Sequence, residues 1–109
     1  MVIQPQFDGG GEFSDGLALV SLGGKYGYVD RSGKLIITPQ FENAGEFSDG
    51  LAIAGMGNRF GYIDKQGKFA INPQFERAGD FERGLAPVWI RGRQAYIDKS
   101  GKFVWNPTV

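Results

Sequence analysis

The chain has no cysteine and no histidine. Without cysteine it has neither a disulfide staple nor a thiolate metal site, and it carries no redox signature of its compartment. Without histidine it lacks the commonest metal ligand and the one side chain that titrates near neutrality unaided. A Ser-His-Asp triad is excluded for the same reason. Charge of one sign is also missing, since 12 Lys and Arg balance 12 Asp and Glu. That argues against nucleic acid and anionic membrane as partners, because both select for a basic surplus. No apolar run approaches the roughly 18 residues of a membrane span. The opening Met1-Val2-Ile3-Gln4-Pro5 has no basic n-region and no apolar h-region. These absences predict a soluble chain, cytoplasmic by default, with no visible signal peptide, no metal site and no cofactor.

Glycine is plentiful. Eighteen Gly against 5 Pro, with no low-complexity run, point to many tight turns instead of disorder. At 109 residues the chain reads as one domain, 1–109, able to bury a core without staples.

An internal period settles the organisation. Pro5, Pro39, Pro73 and Pro107 recur every 34 residues without a gap. So do Phe7, Phe41 and Phe75, then Phe13, Phe47 and Phe81, and then Asp30, Asp64 and Asp98. Twelve of the 34 positions are identical in all three units, and units one and two share 18, which defines units at about 5–38, 39–72 and 73–106. The runs Leu17 to Leu22, Lys25 to Asp30 and Lys34 to Thr38 are short, rich in β-branched and aromatic residues, and bounded by Gly-containing turns. They predict three strands per unit, with a linking segment from Pro39 to Gly50 that holds a short fourth strand near Phe41. Gly23-Gly24, Gly57-Asn58 and Arg91-Gly92 suit two-residue hairpin turns. Asp30-Arg31-Ser32-Gly33-Lys34 and its copies suit a turn locked by the Asp carboxylate and closed by a left-handed Gly. Each unit is therefore an antiparallel meander. Its third strand, apolar on both faces (Leu35, Ile36, Ile37), implies sheets stacked face to face.

The runs K-Y-G-Y-V-D-R-S-G-K, R-F-G-Y-I-D-K-Q-G-K and P-Q-F-E-x-A-G resemble the bacterial WG-repeat family over essentially the whole chain. The signature aromatic-Gly pair stands here as Tyr26-Gly27 and Phe60-Gly61, and is lost as Gln94-Ala95. The resemblance implies a tandem β-repeat that serves as an interaction module, with no common reaction and no catalytic residue to carry over.

Candidate chemistry is weighed position by position. Three Asp at one spacing could ring a cation if the units closed on themselves, but Asp30, Asp64 and Asp98 are better read as turn locks. Ser14 and Ser48 read as turn residues, replaced in unit three by Glu82-Arg83 where units one and two have Ser-Asp. Gly9-Gly10-Gly11 reads as a loop and not as a phosphate cradle. The Phe positions read as core between units. Binding is better sought where otherwise fixed units differ, at the first hairpin turn: Lys25 in unit one, Asn58 and Arg59 in unit two, Trp89, Arg91 and Arg93 in unit three. Trp and Arg dominate interface hot spots.

The fold expected is all-β, three tandem 34-residue meanders stacked as an open array, with a closed propeller-like or trefoil-like ring as the alternative. The chain starts and ends on the same strand-type sequence (Val2-Ile3-Gln4-Pro5 and Phe103 to Pro107), which suits a linear array. The function expected is a non-enzymatic scaffold for an unknown protein partner. The alternative is a receptor for a small molecule or glycan with one pocket per repeat, lined by Tyr28, Tyr62 and Tyr96. Open ends with little polar capping further predict a homo-oligomer, most simply a dimer joined through unit-one faces.

Overall fold

A computed structural model describes residues 9–105. The strand sequence at 2–5, Phe7, Asn106 and Pro107 lie outside the described residues.

The first sheet contains β1 (Gly9–Ser14), β2 (Leu17–Leu22), β3 (Lys25–Asp30) and β4 (Leu35–Phe41). The second contains β5 (Asn43–Ala44), β6 (Ala52–Met56), β7 (Arg59–Ile63) and β8 (Phe69–Phe75). The third contains β9 (Arg77–Ala78), β10 (Leu85–Ile90), β11 (Arg93–Asp98) and β12 (Phe103–Trp105). Each is a four-stranded antiparallel meander in chain order, and none closes into a barrel. The sheets follow one another along a molecule of 49 × 26 × 19 Å. The array is open, and the ring alternative falls away.

The turns form for the reasons their residues give. Leu22 pairs with Lys25, Met56 with Arg59 and Ile90 with Arg93, so two residues close each first hairpin. In the second turn Asp30 Oδ1 accepts from the amides of Ser32 at 2.9 Å and Lys34 at 3.0 Å. Asp64 and Asp98 do the same two and four residues on. Gly33, Gly67 and Gly101 close these turns at φ 85–86°. A β-branched residue is strained there.

Three expectations are corrected. Gly9-Gly10-Gly11 is not a loop, because these residues open β1 and pair with Ser21 and Val20. The short fourth strand expected near Phe41 is placed differently: residues up to Phe41 prolong β4, and a separate strand, β5, begins the next sheet. The strand from Leu35 is not buried on both faces, since Leu35 is 37% and Ile36 40% exposed. It is an edge strand, and only Ile37 and Phe41 turn inward.

The core lies between sheets. Pleating sends Leu17, Leu19 and Tyr28 towards the following sheet, and Ala18, Val20 and Val29 the opposite way. The first joint packs Leu17, Tyr28, Ile37 and Phe41 against Phe47, Ala52, Ala54 and Ile63 of the second sheet. The second joint repeats it 34 residues on, with Leu51, Tyr62, Ile71 and Phe75 against Phe81, Ala86, Val88 and Ile97. Bulky residues meet small ones, so each Tyr ring has a seat.

Candidate functional site

The joints absorb most of the recurrent chemistry. Tyr28 and Tyr62 are fully buried. The Tyr28 hydroxyl donates to the Gly45 carbonyl at 2.5 Å, and that of Tyr62 to Gly79 at 2.6 Å. Their rings stand edge-on to Phe47 and Phe81 at 4.8 and 4.7 Å. Burial pushes both phenols above their ordinary pKa. Both rings are thus enclosed in the joints with their hydroxyls bonded, and neither faces solvent. Tyr96, the third of the set, is half-buried and its hydroxyl accepts from Gln94 Nε2 at 3.2 Å.

A second lock was missed by sequence reasoning. Ser14 Oγ donates to the Phe47 carbonyl, and Ser48 Oγ to that of Phe81 at 2.7 Å. Beside them, Asp15 Oδ2 accepts from the Gly50 amide at 2.8 Å, and Asp49 Oδ2 from Gly84 at 2.7 Å. Lys99 pairs with Asp49 at 3.2 Å. Ser-Asp is therefore a bolt from one sheet to the next. Asp15 and Asp49 also sit at φ 55° and 58°, each followed by a positive-φ Gly, which makes Asp-Gly a two-residue hairpin turn. The signal was present in the sequence: the pair is kept in units one and two and becomes Glu82-Arg83 in unit three.

The glycine of the signature pair answers to packing. A Cβ on Gly27 would lie 2.7 Å from Pro39 N, and one on Gly61 2.7 Å from Pro73 N. Beside it, the Phe60 ring fills the space over Gly55, its register partner. In unit three the ring changes strand. Trp89 stands at the Gly55 position and Gln94 at the Phe60 position, again as register partners. The loss of the aromatic at Gln94 is thus answered by Trp89 across the strand pair.

The candidate binding residues at the hairpin tips fall into two groups. Lys25 pairs with Glu42 at 3.7 Å, and Glu42 also accepts from the Gly57 amide at 2.9 Å, tying the first two tips together. Asn58 and Arg59 sit at the second tip, where Arg59 Nη1 donates to the Asn58 carbonyl at 3.3 Å. At the third tip Glu76 accepts from the Gly92 amide at 3.1 Å. Trp89 there is half-buried, with the Arg77 guanidinium 5.7 Å from its ring centroid. Arg91 and Arg93 are exposed, and Arg91 holds φ 53°, a conformation that units one and two give to Gly. Arg77 is a member of this cluster that the sequence reading did not name.

Asp30, Asp64 and Asp98 are engaged in their own turns, and no group of three acidic side chains fit to hold a metal is found among the described residues. No helix of the described residues is long and apolar enough to cross a membrane.

No curated protein and no solved structure matches this chain. The profile described as "WG containing repeat" matches residues 1–26, 26–59 and 60–92, its last two frames beginning on the aromatics Tyr26 and Phe60 and its third ending before Gln94-Ala95. Three consecutive matches over most of the chain, on sheets whose aromatic and glycine positions are explained by their packing, place the protein in the WG-containing repeat family.

Proposed function

We propose that the protein is a non-enzymatic scaffold that binds a protein partner through its third unit. The supporting observation is the division of labour among its residues. The positions repeated in units one and two are used in turns and joints, whereas unit three replaces two of them with Arg83 and Arg91 and sets Trp89 where the other units have Ser21 and Gly55. Large aromatic and guanidinium groups give the most binding energy per residue at protein interfaces. Neither Asp in turns nor buried Tyr is placed to act on a substrate. The test is capture by the full chain, with the bound protein identified and the complex then titrated. Trp89→Ala together with Arg93→Gln should lower affinity at least about tenfold, and Arg93→Gln alone should do part of this while leaving the unfolding midpoint within error. Three equivalent ligand sites per chain in calorimetry would instead support the receptor reading.

A further inference from the structure

We infer that the outward face of the third sheet docks an acidic, apolar polypeptide segment; the inference rests on the scaffold reading and names its site and partner chemistry. In the first two sheets the corresponding face is covered by the next sheet, and Leu17 and Leu51 are 7% and 8% exposed. Leu85, at the same register position, is 42% exposed. Along β10, pleating places Leu85, Pro87 and Trp89 on one face. Arg77, the register partner of Trp89, stacks on its ring at one end of this stripe. Arg83 stands at the other end, at the turn position of Asp15 and Asp49 and with nearly their φ, 54°. Leu85 to Trp89 is four residues, about 13 Å of extended chain at ~3.3 Å each, with Arg83 in the two-residue turn just before Leu85.

The Asp-to-Arg exchange changes what this corner can hold. Asp15 and Asp49 accept from a backbone amide of the next sheet. A guanidinium can only donate. A further sheet of the same kind therefore loses its bolt here, and the occupant must bring an acceptor instead, which a carboxylate supplies bidentately.

A second copy fits poorly. The small residues that seat a neighbour in the joints have their unit-one counterparts in Ala18, Val20 and Val29, and these are already buried at 0–1% exposure. Two outward faces meeting would set Leu85 and Trp89 against themselves without such seats. Nucleic acid is disfavoured by the zero net charge and the apolar middle of the stripe. Carboxylates at the two ends of a short extended segment, with apolar side chains between them, match the two guanidinium ends.

The test uses the full chain labelled with nitrogen-15 and a blocked heptapeptide with aspartate at each end and leucine alternating with threonine between. Saturable amide shifts confined to β10 and β11 are expected, with none from the same peptide ended in lysine. Arg83→Glu should weaken the aspartate peptide by about tenfold or more and favour the lysine peptide, and Trp89→Ala should weaken both. No shift, shifts scattered over other sheets, equal competition by an oligonucleotide, or shifts of β10 that depend on chain concentration alone would each overturn the inference. A captured protein whose affinity survives Arg83→Glu but falls with Arg93→Gln would remove this face and keep the scaffold reading. Capture of no protein beside a positive peptide result would do the reverse.

Discussion

The outward faces of the first and third sheets share a Leu and a Tyr at the same register positions, and these meet different fates. Leu17 and Tyr28 are buried under the second sheet, while Leu85 is open and Tyr96 half so. The Leu and the Tyr are identical, whereas Leu19 and Ser21 of β2 become Pro87 and Trp89 of β10. The bolt beside them also differs, Ser14-Asp15 in one case and Glu82-Arg83 in the other. In this stack apolar burial supplies the joint's strength, and the Ser-Asp pair bonds across it.

The largest effect should come from breaking a joint at its ring. Tyr62→Ala leaves a cavity between two sheets and an unanswered Gly79 carbonyl, and should cost about 3–5 kcal/mol, as other large-to-small core changes do. Tyr96→Ala, the same chemistry on a half-exposed face, should cost no more than ~1.5 kcal/mol. Urea unfolding of both variants measures the contrast. Equal losses would mean that the third face is as well covered as the joints.

How much of this was legible follows from where each residue's reason lies. Gly33, Gly67 and Gly101 answer to their own backbone, and the Asp lock to amides two and four residues away, so the turns could be read locally. The period then gave the stack. Tyr28 could not be read that way, because its hydroxyl partner, Gly45, lies 17 residues on in another sheet. In the sequence an inward ring and a ligand-facing ring look alike. Ile36 misled for the converse reason: an apolar residue on an edge strand is tolerated in the open, and burial on both faces does not follow from composition. Asp15-Gly16 carries a local hairpin signal of its own, since Asp-Gly tolerates the positive φ of a two-residue turn.

A smaller effect should separate a joint from a free turn within one glycine type. Gly67 and Gly16 share positive φ, but a Cβ on Gly67 would meet Ile37 Cγ2 at 3.0 Å, from the preceding sheet, while Gly16 has nothing within 4 Å. Gly67→Val should therefore cost about 2–3 kcal/mol, conformational strain plus crowding, and Gly16→Val about 1 from strain alone. Thermal unfolding ranks them. The reverse order would mean that the second turn does not touch its neighbour.

The smallest expected effect concerns the bolt's charge. The Asp49 carboxyl is held below the ordinary carboxylate range, chiefly by the Gly84 amide and then by Lys99. Asp30 and Asp98 are also held low, first by the hydroxyls of Ser32 and Ser100, but within their own turns. A carboxyl whose folded pKa is depressed contributes stability that is fully present above the unfolded value, about 3.9, and is lost as pH falls through the folded value. The chain should thus be stable from neutrality to about pH 4 and weaken below it. Asp49→Asn keeps an acceptor for the Gly84 amide but removes the charge, so it should be modestly less stable than the parent at pH 7. As pH drops the parent's own Asp49 is neutralised, and the two unfolding midpoints should converge. Because all three carboxylates stay in contact with solvent, screening keeps each contribution small. Asp30→Asn should converge with the parent in the same pH window without weakening the joint, as amide exchange at Gly84 would reveal. A gap between Asp49→Asn and the parent that stays constant down to pH 2 would show that the bolt works by shape and not by charge, and the contrast with Arg83 would then be one of length alone.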